Sequence, residues 1–142
     1  MSDFALDPRL AADTTWVADS ALSQLRLMDD ARFPWLVVVP RVCGVVEWLD
    51  LDSADQVRLL HEIHGAARIL RAAAGVEKIN IGALGNIVRQ LHVHVVARRT
   101  DDAAWPGPVW GSGAAERFSP QALAARIAAV RADLTKFAPD FS

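Results

Sequence analysis

The chain has 142 residues, of which 52% are hydrophobic, and its formal net charge at pH 7 is -2. This length fits one domain, residues 1–142, and the balanced charge argues against nucleic acid polymers as partners, because their binding proteins carry a basic field. No signal-like N-terminus or membrane-spanning apolar run is present, and a single cysteine, Cys43, suits a reducing compartment. We therefore expect a cytoplasmic protein without membrane contact.

The first part of the chain reads as a short helix followed by three strands. Asp7 as N-cap and Pro8 at the first helical position indicate the helix start. Apolar, β-branched runs predict strands over residues 14–19, 22–28 and 35–40.

A long helix follows these strands. Ser53 and Gln56 form a capping-box pattern, and Gly75 is placed as a C′ residue. Apolar residues at three- and four-residue spacing between them predict an amphipathic helix of about twenty residues.

The rest of the chain contains two more strands, a loop and a final helix. Strands are predicted over residues 78–83 and 88–99, and the loop 100–118 precedes Ser119 and Pro120, an N-cap and a first helical residue. The helix is expected to end near Phe137. This order predicts an α+β fold, an antiparallel sheet of about five strands with one long central helix and a C-terminal helix on one face.

Residues 88–99 combine an apolar alternation with ionisable side chains. One face of the strand would carry Leu91, Val93 and Val95, and the other Gln90, His92 and His94. At a rise of about 3.3 Å per residue the two histidines would lie roughly 6–7 Å apart, too far for direct contact but close enough to share one small charged group.

Three roles fit this pair of histidines. A neutral imidazole is a good nucleophile towards phosphorus, and the preceding turn at Gly85 and Asn86 could offer backbone N–H groups to phosphate oxygens. Two histidines could also ligate zinc, although no third ligand has a matching spacing. Finally, both could be ordinary sheet residues. His61 and His64 are expected to be surface residues of the long helix.

Residues 85–96 resemble the signature of the histidine-triad nucleotide hydrolases and transferases, three histidines that alternate with apolar residues. Gln90 stands at the first histidine, His92 at the second and His94 at the third, and Ile87 stands where the family usually has Ser or Thr. The resemblance covers roughly residues 4–99.

Upstream, residues 33–40 are similar to the family's strand after a Pro-containing hairpin, and residues 80–82 to its Asn-x-Gly. The order of elements predicted above agrees with the family fold.

The resemblance implies attack on a nucleoside α-phosphate in an ester, anhydride or phosphoramidate, including dinucleoside polyphosphates. His92 would be the nucleophile and would form a nucleotidyl-histidine that water or another acceptor resolves. His94 would contact the phosphate or the leaving group. Gln90 would be the third catalytic position, where an amide can form hydrogen bonds but cannot shuttle a proton near neutrality.

The resemblance also implies a substrate-binding set. Asp29, with Asp30 as the alternative, would meet the ribose hydroxyls, and Asn80, Gly85 and Asn86 would lie near the phosphates. Asp29 and Asn86 could instead be ordinary turn residues.

The resemblance further implies a homodimer, and no metal or cofactor is expected. Residues 100–142 lie outside it, and the loop from Trp105 to Trp110 could be a lid, a dimer contact or a packed surface loop. Two other functions stay open, a nucleotide-binding or sensor protein without turnover and a metal-dependent hydrolase.

Overall fold

The computed structural model describes residues 3–142, which form one antiparallel sheet and three helices. In chain order the elements are α1 (Pro8–Asp13), β1 (Thr14–Asp19), β2 (Ser23–Met28), β3 (Trp35–Pro40), a 3₁₀ turn (Trp48–Asp50), α2 (Ser53–Arg71), β4 (Lys78–Gly82), β5 (Val93–Arg98) and α3 (Pro120–Phe137). The spatial order of the strands is β1-β2-β3-β5-β4, and each neighbouring pair is antiparallel. The predicted α+β class with a five-stranded antiparallel sheet is confirmed.

The two faces of the sheet bury separate apolar clusters. The face covered by α2 and α3 buries Leu36, Val38, Val93, Val95, Ile63 and Leu134, among others. The opposite face buries Trp35, Val37, Val39 and Val96 together with Leu10 of α1 and Val109. The prediction that the long helix and the C-terminal helix share one face is therefore confirmed, and the short helix α1 packs on the opposite face. A cavity that contains the two histidines lies on the α1 face.

The helix boundaries follow local capping. Ser119 accepts a hydrogen bond from the Ala122 N–H at 3.2 Å, and α3 ends at Phe137 as predicted. For α2 the capping-box prediction is wrong, because the side chain of Asp52 caps the helix and accepts from the Asp55 N–H at 2.8 Å. Gly75 lies beyond the C′ position, since the C-cap residue is Ala72.

The histidine strand is shorter than predicted. β5 begins at Val93, because pairing with β3 starts at Val93 and pairing with β4 starts at His94. Before that point the Leu91 N–H donates to the Val45 carbonyl instead, at 3.0 Å. His92 therefore precedes the strand and His94 lies on it. No helix within residues 3–142 is long and apolar enough to cross a bilayer.

Candidate active site

A cavity of about 570 Å³ opens on the α1 face of the sheet. Its walls come from α1, the β2–β3 connection, the loop before β5 and the loop before α3, and they include Asp29, Gly85, Asn86, His92, His94 and Trp110. A volume of this size is typical of small-molecule sites. Four distant parts of the chain therefore meet around the two histidines.

His92 is held by a backbone carbonyl. Its Nδ1 lies 2.7 Å from the carbonyl oxygen of Gln90, and its side chain is largely buried. A carbonyl oxygen only accepts hydrogen bonds, so Nδ1 must be the protonated nitrogen. The other ring nitrogen, Nε2, then keeps its lone pair, which is the arrangement a nucleophilic imidazole needs.

His94 is held in the opposite way. The indole Nε1–H of Trp35 donates to Nδ1 of His94 at 3.0 Å, and an indole N–H can only donate. The proton of the neutral His94 ring is therefore on Nε2. Burial lowers the pKa of His94 to about 3, and the electrostatic interaction with the His92 ring adds to this effect. His94 is thus an uncharged hydrogen-bond donor at neutral pH.

The two imidazoles touch, contrary to the separation predicted for a regular strand. Their ring centroids are 4.8 Å apart with the planes at 76°. The strand rise does not apply between them, because His92 precedes β5. The pair is consequently close enough for both rings to contact one small ligand group.

Two tryptophans form an aromatic wall around His94. The ring centroid of Trp35 lies 5.5 Å and that of Trp110 5.6 Å from the His94 ring. Gly82 faces His94 across the β4–β5 pair, and a Cβ there would come within 3.0 Å of the Trp110 ring. The glycine therefore leaves the space that Trp110 occupies.

The loop from Trp105 to Trp110 is fastened by a buried arginine. Arg98 is 1% exposed, and it contacts the Asp102 carboxylate through Nε and Nη2 at 2.8 and 3.0 Å and the Gly107 carbonyl through Nη2 at 2.8 Å. These hydrogen bonds from Arg98 lower the pKa of Asp102 to about 2. Of the alternatives for this loop, the structure makes Trp110 part of the cavity wall, while Trp105 is partly exposed.

Asp29 lines the cavity, and both of its carboxylate oxygens accept hydrogen bonds within the protein. They accept from the Phe118 N–H at 2.9 Å and from Nη1 of Arg117 at 3.0 Å. Asp30 also lines the cavity but is paired with Arg32 through contacts of 3.0 and 2.8 Å. Burial alone would raise the pKa of Asp30, but the hydrogen bonds from Arg32 and from the Glu116 N–H outweigh it and lower that pKa.

Gly85 and Asn86 also line the cavity. Gly85 has a φ of 68°, a left-handed conformation that glycine adopts without strain. Within residues 3–142, the backbone N–H groups of residues 85–88 have no acceptor in the protein. They are therefore available to an anionic ligand.

Two predicted site residues lie outside this cavity. Asn80 uses its side-chain oxygen to accept from Nη1 of Arg98 at 2.8 Å, so it supports the buried arginine. The side chain of Gln90 is turned towards the N-terminal segment, where it bonds Ala5 and Asp7. Neither side chain therefore forms part of the cavity wall around the two histidines.

Sequence reasoning missed several wall residues, namely Arg9, Arg32, Trp35, Trp110 and Arg117. Most of them lie far from the histidines in the chain, and arginines at turns are common on any surface. The one usable signal was the unusual density of tryptophan and proline between residues 105 and 110.

Within residues 3–142 no group of three or more His, Cys, Asp or Glu side chains is placed to hold a metal ion. His61 and His64 are exposed on α2, which covers the opposite face of the sheet.

Comparison with known proteins agrees with this geometry. The HIT domain family model matches residues 9–101. A solved histidine triad protein from Sinorhizobium meliloti is 48% identical, with a TM-score of 0.90 over 94% of this chain and 99% of that one. One from Bradyrhizobium japonicum is 43% identical, with a TM-score of 0.87 over 91% and 96%. One from Marinobacter aquaeolei is 39% identical, with a TM-score of 0.86 over 95% and 98%.

The chain belongs to the histidine triad (HIT) family, a family of nucleotide-binding hydrolases and transferases. A comparison with curated proteins found no match.

Proposed function

We propose that this protein is a nucleotide hydrolase or nucleotidyl transferase that attacks a nucleoside α-phosphate through a nucleotidyl-histidine intermediate on His92. The observation that carries the proposal is the opposite tautomers of the two touching histidines. His92 offers a lone pair on Nε2, whereas His94 offers a proton on Nε2. A nucleophile beside a fixed donor is what displacement at phosphorus requires.

In the first step, Nε2 of His92 forms a bond to the α-phosphorus while the bond to the leaving group breaks and the leaving group departs with the electron pair. The phosphorylated ring is then cationic, and its Nδ1–H still donates to the Gln90 carbonyl, which stabilises the charge. In the second step, water or another acceptor forms a bond to phosphorus and gives a proton to solvent. The electron pair of the broken P–N bond returns to Nε2.

His94 acts in this scheme as a hydrogen-bond donor to a phosphoryl or leaving-group oxygen. It is not a general acid, because loss of its Nε2 proton would produce an imidazolate while Trp35 occupies Nδ1. The lowered pKa of His94, about 3, supports a group that stays uncharged through the reaction. Its contribution is electrostatic, a donor fixed in place before the charge develops.

The remaining walls of the cavity suit a nucleoside phosphate. The unpaired N–H groups of residues 85–88 support binding of phosphate oxygens. A carboxylate has about four acceptor sites, so Asp29 retains capacity for ribose hydroxyls beyond its bonds to Phe118 and Arg117. We assign Gln90 to the first position of the triad and Ile87 to the position of the usual hydroxyl residue.

Three further properties belong to the same proposal. Residues 100–142 contribute Val109 to one apolar cluster and Ile127 to the other, which supports a single domain over residues 1–142. β4 is an edge strand with Ile81 exposed, which supports a homodimer formed along this edge. The lone, exposed Cys43 supports a cytoplasmic location.

The test is to incubate the protein with adenylylated esters, anhydrides and phosphoramidates and to search for a nucleotidyl adduct by mass spectrometry. We expect an adduct on His92 and release of the nucleoside monophosphate. His92→Ala should abolish both with an unchanged circular dichroism spectrum, whereas the matched control His64→Ala, on exposed α2, should keep both.

Three results would contradict the proposal. Turnover that survives in His92→Ala would show that another group is the nucleophile. Nucleotide binding by calorimetry without product after long incubation would identify a binding or sensor protein, and loss of activity on exhaustive chelation would indicate a metal-dependent hydrolase.

A further inference from the structure

The side chain of Gln90 makes two hydrogen bonds to one short segment of backbone. Its Oε1 accepts from the Asp7 N–H at 2.9 Å, and its Nε2 donates to the Ala5 carbonyl at 2.8 Å. Both polar ends of the amide are therefore satisfied by residues more than 80 positions earlier in the chain. Gln90 is not part of the wall of the large cavity, although its backbone carbonyl holds His92.

This pairing suits an amide better than an imidazole. The carbonyl of one residue and the N–H of the residue two positions later point to the same side of an extended segment. A planar amide carries its donor and acceptor side by side, so it can bond both groups at once. The two nitrogens of a histidine ring point in diverging directions, so a histidine at position 90 could keep only one of the bonds.

The segment that Gln90 fastens leads directly into the cavity wall. Phe4 and Leu6 pack against the apolar cluster on the α1 face, and Asp7 is the N-cap of α1, accepting from the Arg9 N–H at 2.8 Å. Arg9 lines the cavity. Within residues 3–142 its guanidinium group has no carboxylate partner, whereas Arg32 and Arg117, the other two arginines of the wall, are paired with Asp30 and Asp29.

We propose that Gln90 is a positioning residue whose side-chain amide clamps residues 5–7 and thereby holds Arg9 at the cavity to attract the anionic substrate. This inference rests on the proposed function for its kinetic consequence, but the clamp itself exists without substrate. Gln90 then has two roles. Its backbone carbonyl orients the nucleophile, and its side chain supports substrate binding.

The decisive variant is Gln90→Met, which keeps the side-chain length and removes both hydrogen bonds. We expect KM for an adenylylated substrate to rise about tenfold, the consequence of two lost bonds, while kcat changes less than twofold. The backbone carbonyl remains in place, so the 15N signals of His92 should still report a proton on Nδ1. Gln90→His should resemble Gln90→Met, because it restores at most one bond.

A double-mutant cycle tests the route through Arg9. Arg9→Met alone should raise KM by a similar factor, and Gln90→Met should add little to it, because both changes remove the same contribution. If KM in the double variant rose by the product of the two single-variant factors, the inference would be overturned. A normal KM in Arg9→Met would overturn it as well. A fall in kcat at constant KM for Gln90→Met would place the amide in the chemistry instead.

Hydrogen exchange tests the clamp without any substrate. The Asp7 amide should be protected in the wild type and exchange at least tenfold faster in Gln90→Met. The matched control is Gln56→Met, which removes a single side-chain bond to the Leu51 carbonyl at the start of α2 and should leave the Asp7 amide protected. Unchanged exchange in Gln90→Met would refute the clamp. If the wild type neither binds nor turns over nucleotides, the proposed function fails while this measurement still decides the clamp.

Discussion

Trp35→Phe isolates the hydrogen bond that determines the state of His94. The substitution keeps an aromatic ring on β3 but removes the indole N–H that donates to Nδ1 at 3.0 Å. The buried nitrogen is left without a donor, a defect that costs about 1–3 kcal/mol. For a chain of this size that corresponds to a fall in Tm of roughly 3–9 °C.

The same change should alter the ionisation of His94. In the wild type a donor faces Nδ1, so protonation of that nitrogen would place two N–H groups against each other. Without this donor Nδ1 can carry a proton that faces no other N–H group, so the pKa of His94 should rise from about 3 towards the ordinary histidine range. We expect kcat to fall about tenfold, less than the 10²–10³-fold loss of a deleted oxyanion donor, because Nε2–H is kept but loosely held.

The assays are 15N NMR titration of the histidine rings, urea unfolding and turnover at pH 7. The control is Trp16→Phe, which removes an indole bond of 2.9 Å to Asp19 on an exposed part of β1. It should leave the His94 signals and kcat unchanged. Trp35→Phe with wild-type stability and an unchanged His94 titration would refute the role assigned to this hydrogen bond.

Two further predictions concern the same wall of the cavity. Because the pKa of His94 is about 3 when folded and near 6.5 when unfolded, the unfolded state binds more protons between these values, and the free energy of unfolding should fall as pH is lowered through this window. The contribution of His94 to the slope of unfolding free energy against pH should approach ~1.4 kcal/mol per pH unit. Urea unfolding at several pH values measures this slope, and the contribution should be lost in His94→Gln. Equal slopes in the wild type and the variant would exclude His94 as the source. Gly82→Val should displace Trp110, whose ring lies 3.0 Å from the position of a Cβ, at a cost of about 1–3 kcal/mol in stability. Tryptophan fluorescence should change and nucleotide affinity by calorimetry should fall, whereas an unchanged affinity would remove Trp110 from the binding wall.

Hydrogen bonding and periodicity within short stretches made much of the fold predictable. Ser119 and Pro120 define the start of α3 because a cap and a proline act on the first turn of their own helix. The alternation of Leu91, Val93 and Val95 correctly places these side chains in the core under the helices. Where two capping residues compete locally, as Asp52 and Ser53 do, sequence alone chose wrongly.

The sequence by itself was enough to predict the class of fold and to select the two histidines as candidate site residues, because both predictions depend on patterns among residues that are neighbours in the chain. The tertiary structure alone decided the partners of those residues. Trp35 sets the tautomer of His94 from another strand, Arg98 draws Asn80 away from the cavity, and Gln90 turns its amide to the N-terminal segment. A side chain that can donate and accept has many possible partners, and only the packed chain brings one of them within hydrogen-bond distance.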